Sequence, residues 1–180
     1  MKKTTSVVLV LLILVFLVCE LRPREIIEPL YYTKEIREIC EIHDIDPFII
    51  AAVARTESSW VSDATSRVGA KGLMQIMPET ALYLAEERGL YLALEELNDP
   101  RVSLDYGAYY LKKLYGQFKN WDTVFAAYNA GPTQVEAWLN DSNYSNKKEL
   151  TYIPYDETRH YVEKVNHFLE AFKKSYKRFP

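Results

Sequence analysis

The residues of this sequence best placed to do chemistry are Glu57 and the polar, glycine-bearing stretch that follows it. Glu57 ends the run Asp46-Pro47-Phe48-Ile49-Ile50-Ala51-Ala52-Val53-Ala54-Arg55-Thr56, and Ser58-Ser59-Trp60 come next. Asp46 is a good N-cap and Pro47 suits a first helical turn. The residues after them are apolar on nearly every face, which marks a helix buried on all sides. Glu57 then falls at the C-terminal end of that helix. Desolvation and the partial negative charge of the helix terminus both disfavour its ionised form. A carboxyl kept protonated near neutral pH can act as a general acid. The plain alternative is a surface glutamate at a frayed helix end.

The elements that must hold Glu57 follow from periodicity and breakers. Residues 30–43 carry Ile36, Ile39, Cys40 and His43 at helical spacing, and Asp44-Ile45-Asp46 turns the chain into the buried helix. Residues 61–76 have no sustained period and read as a loop, in which Gly69 and Gly72 allow close approach of a ligand or another segment. Pro78-Glu79-Thr80 opens a helix that Gly89 stops. Asn98-Asp99-Pro100 caps the next, with Val102, Tyr106, Tyr109, Tyr110 and Leu114 on its apolar side. Gly107 within it costs about 1 kcal/mol against alanine, so a neighbouring backbone is expected to pack there. Residues 121–129 repeat the pattern with Val124, Phe125 and Tyr128, ended by Gly131-Pro132, and a short helix runs to Leu139. A polar loop over 141–150, expected to be mobile, leads to a last helix over 156–176 with Val162, Val165, Phe168, Leu169 and Phe172 at spacings of three and four. No strand alternation or internal repeat is evident, so the fold class is all-α.

The 180 residues make one domain, with 48% hydrophobic and 26% charged residues as in ordinary globular proteins. A net charge of -3 gives no electrostatic footprint for nucleic acid. The three His and two Cys match no metal-ligand spacing, and Cys40 is expected as a buried free thiol. At the N-terminus, Met1-Lys2-Lys3 precedes an apolar run from Val7 to Val18, the pattern of an export signal. Phe16-Leu17-Val18-Cys19 carries bulky groups where a signal peptidase needs small ones, and Val18 weakens a lipid-attachment reading of Cys19. From Thr4 to Leu21 the run just reaches the ~17–25 residues that span a bilayer. Residues 1–21 are therefore expected to be a signal peptide or, in preference, a retained signal anchor. Residues 22–29 follow as a linker, and 30–180 as the folded domain, outside the membrane.

Three blocks in order carry a family resemblance. Glu57-Ser58-Ser59-Trp60 with Ser66 and Gly69-Ala70-Lys71-Gly72-Leu73-Met74-Gln75-Ile76-Met77-Pro78 is the first. Ala126-Ala127-Tyr128-Asn129-Ala130-Gly131-Pro132 is the second, and Ile153-Pro154-Tyr155-Asp156-Glu157-Thr158-Arg159-His160-Tyr161-Val162 the third. Together they resemble the catalytic domain of the soluble lytic transglycosylases, over roughly residues 31–172. The resemblance implies a lysozyme-like, goose-type helical domain with a substrate groove, acting on peptidoglycan glycan strands without a cofactor or metal. Glycoside cleavage usually uses two carboxyl groups. Asp63, the nearest candidate, reads better as a turn or cap residue, and Glu79 as an acid complementing a helix dipole. The family's chemistry needs only one acid. Glu57 would protonate the glycosidic oxygen, then take a proton from the C6 hydroxyl of the same muramic sugar as it closes onto C1, giving a 1,6-anhydro product.

By the same resemblance Ser66 would hydrogen-bond near the muramic acetamido group, although a turn serine fits the sequence equally well. Gln75, Met77, Tyr128, Asn129 and Tyr161 match groove positions. Gln75 would offer donor and acceptor to sugar hydroxyls, and Tyr128 an apolar face and one hydroxyl. Tyr161 either hydrogen-bonds the catalytic carboxyl or packs. Met74 is expected in the core, and Thr158 and Arg159 are expected to hold the last helix against the groove wall. Ser103 stands where the family often has Asn, which puts a structural hydrogen bond in question. Two rivals share the sequence features: a goose-type muramidase hydrolysing the same bond, and an inactive glycan-binding module, against which the intact Glu57, Ser66 and Gln75 argue. Wall turnover, spore formation and passage of a secretion apparatus are all compatible settings, with a cell-wall or secretion assembly as partner.

Overall fold

A computed structural model describes residues 28–180, so the expected signal or anchor over 1–21 and most of the 22–29 linker lie outside the described residues. Among the described residues the order is α1 (Thr33–His43), α2 (Pro47–Ser58), α3 (Pro78–Glu87), a 3-10 turn (Leu94–Asn98), α4 (Pro100–Phe118), α5 (Trp121–Ala130), α6 (Pro132–Leu139) and α7 (Asp156–Ser175). No strand occurs among them, only isolated bridges, as between Thr65 and Lys71 and between Lys71 and Ile76. No described helix is long and apolar enough to cross a membrane.

The helix starts are where the capping residues put them. Asp46 Oδ1 accepts from the Phe48 amide at 2.9 Å, Asp99 Oδ1 from the Arg101 and Val102 amides, and Asn120 Oδ1 from the Thr123 amide. Each satisfies donors that a helix start leaves without a partner. Helix α2 is the centre of the molecule: Ile49 through Ala54 are all buried. It packs chiefly along α7 and also on α1 and α4, while α5 joins α4 to α7. Helix α7 reaches the core with Tyr161, Val162, Val165, Phe168 and Phe172, and Leu169 is only half-buried. Cys40 is a buried free thiol, and desolvation pushes it up to about 12.

Several elements differ from the sequence expectation. The 3-10 turn at Leu94–Asn98 was not anticipated. Helix α4 buries Tyr106 and Leu114 as expected, together with Ser103, Leu104, Gly107, Ala108 and Leu111, whereas Val102, Tyr109 and Tyr110 are only partly covered at its flanks. Its small residues Ser103 and Gly107 are the ones pressed against the loop after α2. A Cβ on Gly107 would lie 2.6 Å from Met74 Cγ and Cε, so the neighbour is a side chain rather than a backbone. His43, expected on the apolar face of α1, instead binds Asp105 Oδ1 through Nε2 at 2.7 Å. The 141–150 loop is bridged at Ser145 and Leu150 and tied to the start of α5, where Asn120 Nδ2 donates to Glu149.

Candidate active site

Helix α2 delivers Glu57 to its last turn, and two successive left-handed residues, Ser59 and Trp60, then turn the chain sharply away. Ser58 secures the turn, donating to the Ala54 carbonyl and accepting from the Trp60 amide. The Trp60 ring is held among Tyr31, Tyr32 and Phe172. Across from α2, the Tyr161 hydroxyl of α7 donates to Glu57 Oε1 at 2.7 Å. Of the two roles left open for Tyr161, the geometry shows the hydrogen bond. Burial raises the Glu57 carboxyl from an ordinary 4.5 to about 7, against the opposing pull of the Tyr161 hydrogen bond and the Lys164 ammonium. No second carboxylate among the described residues figures in that balance. Burial first, and the Glu57 carboxyl after it, push the Tyr128 and Tyr161 hydroxyls well above the ordinary phenol value, so both phenols stay neutral beside Glu57.

The loop over 61–76 forms a second wall, and its shape depends on backbone contacts invisible to periodicity. Gly72 has φ +77, and a Cβ there would lie 1.9 Å from the Leu97 carbonyl oxygen, so only glycine fits. Gly69 is also left-handed but has nothing within 4 Å, so it serves the turn alone. Met74 is fully buried, as expected, and both its backbone groups are held from outside the loop. Its amide donates to Ser103 Oγ at 3.1 Å, and its carbonyl accepts from the Tyr128 hydroxyl at 2.8 Å. The hydrogen bond put in question at Ser103 is therefore made, with the shorter serine at close approach of α4 to the loop.

The expected groove residues fall in different surroundings. Gln75, Met77, Tyr128 and Asn129 line one cleft of about 300 Å3, together with Thr80 and Tyr110. It continues through Thr80, Tyr110 and Pro132 into a space of about 470 Å3 beside Tyr83 and Glu136. On the other side, Asn129 and Ala130 lead to a space of about 500 Å3 beside Tyr155 and Glu157. Tyr110 and Tyr128 set their rings 5.4 Å apart in the cleft. Gln75 is left-handed at φ +46, and its Nε2 donates to the Ala64 and Gly72 carbonyls, which leaves its carbonyl oxygen for a ligand. Asn129 Oδ1 accepts from Thr158 Oγ1, leaving its amide nitrogen. Ser66 is outside this lining; its Oγ accepts from the Ala70 amide, as a turn serine does, and retains a hydroxyl proton to donate. Thr158 thus ties α7 to the groove wall as expected. Arg159 does otherwise: it pairs with Asp156 and donates to the Ile153 carbonyl, fastening the approach to its own helix.

Asp63 is exposed, and Glu79 sits in the first turn of α3. The residue overlooked in the sequence is Lys164, whose ammonium donates to the Thr56 carbonyl at 3.3 Å. Its signal was the spacing of three from Tyr161, which places the two on one face of α7.

Residues 35–151 match the family described as Transglycosylase SLT domain. The chain belongs to the SLT domain family. It is 38% identical over 143 residues to the soluble lytic murein transglycosylase of Escherichia coli, which covers 76% of this chain and 22% of that protein. A transglycosylase of phage PRD1 is 32% identical over 105 residues, covering 58% of this chain and 37% of that one. A membrane-bound lytic murein transglycosylase F of Pseudomonas putida is 28% identical over 113 residues, covering 58% and 21%. Among solved structures, the 70 kDa soluble lytic transglycosylase of Escherichia coli superposes with a TM-score of 0.73 at 34% identity, covering 81% of this chain and 24% of that one. An inactive glutamate-to-glutamine variant of the lytic transglycosylase Slt of Pseudomonas aeruginosa gives the same values. The SLT domain thus has the helical, lysozyme-like fold expected, and the chain spans only about a fifth to a quarter of the length of the lytic murein transglycosylases and 37% of the phage protein. The family match stops at residue 151, so the approach of Tyr161 to Glu57 is a feature of the structure beyond it.

Proposed function

We propose that this SLT domain is a peptidoglycan lytic transglycosylase, cleaving the β-1,4 bond between N-acetylmuramic acid and N-acetylglucosamine without water. The observation that carries the proposal is the single carboxyl of Glu57, raised to about 7 by burial and hydrogen-bonded by Tyr161. Such a group can both give and take a proton near neutral pH. Glu57 protonates the glycosidic oxygen as the bond to C1 breaks. The resulting carboxylate accepts the C6 hydroxyl proton as O6 bonds to C1, which returns Glu57 to its starting form. An intramolecular nucleophile has a high effective molarity, so one acid suffices. That the inactive Pseudomonas relative carries a glutamate-to-glutamine change is in keeping with this role.

In this mechanism Tyr161 orients the carboxyl, and Tyr128 and Met77 give the sugar an apolar surface. The Gln75 carbonyl, the Asn129 amide and the Ser66 hydroxyl supply the remaining polar contacts. Muropeptides released from purified sacculi and weighed by mass spectrometry test the reaction. Ends in 1,6-anhydromuramic acid are expected; reducing ends, heavier by one water, would make the domain a muramidase.

The catalytic domain is taken as 30–180, joined by the 22–29 linker to residues 1–21. The basic start and long apolar run of residues 1–21 support a retained anchor that holds the domain outside the membrane. Intact mass of the protein from bacterial membranes is expected to match the full chain. A mature N-terminus near residue 20, or a diacylglycerol on Cys19, would replace the anchor.

A further inference from the structure

We propose that Lys164, an exposed lysine of α7, is a positioning residue for Glu57, bracing the last turn of α2 through the Thr56 carbonyl and setting a positive charge near the Glu57 carboxylate. The proposal deepens the reading of Glu57 as the single acid and base. The last carbonyls of a helix have no partner within it. At the end of α2 the Thr56 carbonyl, one residue before Glu57, takes the Lys164 ammonium at 3.3 Å. Tyr161, three residues earlier on α7, holds Glu57 itself. One face of one helix thus grips both the catalytic carboxyl and the backbone that carries it. The other cations nearby are engaged elsewhere. Arg159 pairs with Asp156, Lys173 with Asp46, and Arg55 on α2 with Glu28 while lying over the Phe168 ring.

The chemistry gives that charge a purpose. Between proton donation to the departing oxygen and proton uptake from the C6 hydroxyl, Glu57 is an anion in apolar surroundings. The titratable groups facing it are Tyr161 and Lys164 from α7 and Tyr128 from α5, and both phenols are raised, hence neutral. The ammonium is therefore the positive charge that offsets the carboxylate while it exists. Burial favours the protonated acid; the Tyr161 hydrogen bond and, after it, the Lys164 charge favour the anion, which keeps the group where it can serve in both directions.

The test is a carbon-detected NMR titration of the Glu57 carboxyl in the native protein, assigned by its loss in Glu57→Gln, and repeated in Lys164→Met, Lys164→Gln and Lys164→Arg. The readout needs no turnover, so it stands even where product analysis assigns the domain to hydrolysis. Lys164→Met is expected to move the midpoint up by about half a unit or more. Lys164→Gln keeps a donor for the Thr56 carbonyl without the charge and should move it equally, and Lys164→Arg should leave it in place. The alkaline limb of kcat/KM should move in the same direction, since the acid must be protonated to start the reaction. An unmoved midpoint in folded Lys164→Gln would overturn the proposal, as would a lowered melting temperature in Lys164→Met with no shift, which would make Lys164 a helix cap and no more.

Discussion

At the scale of single residues, the environment of the Glu57 carboxyl, the proposed acid and base, leaves a mark on stability. The folded-state value of Glu57, about 7, is above its ordinary 4.5, so the native protein binds the extra proton between those values. Stability is then highest below about 4.5 on this group's account, falls as pH rises through that window, and levels off above about 7. Glu57→Gln removes the dependence. Its melting temperature should exceed that of the native protein at pH 8 and approach it at pH 5, with a difference of the order of 1–3 kcal/mol at the higher pH. Activity should fall by about 10³-fold or more, since one residue serves both proton transfers. Tyr128→Phe should behave differently. It leaves the Met74 carbonyl without its partner, so a loss of about 1–3 kcal/mol in denaturant melts should accompany the loss of turnover. The raised carboxyl of Glu57 was legible in the sequence because the apolar run before it marks a helix covered on nearly every face. Lys164 was not, because a lysine on an amphipathic helix reads as a solvated charge until a neighbouring carbonyl is seen beneath it.

At the scale of elements, the starts of α2 and α4 were legible because Asp46 and Asp99 act locally, while the cap at Asn120 emerged only with the structure. The buried face of α4 was legible only in part: Tyr106 and Leu114 lie on it as expected, but Ser103, Gly107 and Ala108 carry no hydrophobic signal and matter only through what approaches them. The loop over 61–76 shows the same limit: its two glycines look alike in sequence and differ in space. Gly69→Ala should cost about 1–2 kcal/mol, the price of a left-handed alanine in open surroundings. Gly72→Ala adds an impossible contact with the Leu97 carbonyl and should cost about 3 kcal/mol or more, with activity lost as the loop shifts. Parallel urea melts of the two variants would settle the distinction; equal losses would mean the loop yields at Gly72 without strain.

At the scale of the whole molecule, the all-α class and the order of elements followed from spacing, but the way the chain's ends meet the body did not. Glu28, expected at the end of the linker, is docked in space, and Tyr31 and Tyr32, at the expected start of the domain, dock ahead of its first helix. Glu28 binds Arg55 and accepts from the Tyr176 hydroxyl through its backbone, and Tyr31 and Tyr32 lie against Trp60. A chain begun at Thr33 should therefore melt several degrees lower than one begun at Glu28, and turn over more slowly. Equal melting and equal rates would show the docking to be incidental. The arrangement also has a mechanical meaning. Among the described residues, tension from the N-terminal side would reach Arg55 and Trp60, which flank Glu57 in sequence, through Glu28 and Tyr32. A domain tethered from that end and pulling on a stretched polymer would carry its load through the turn that aims its own acid, so tension and bond cleavage would share a single lever.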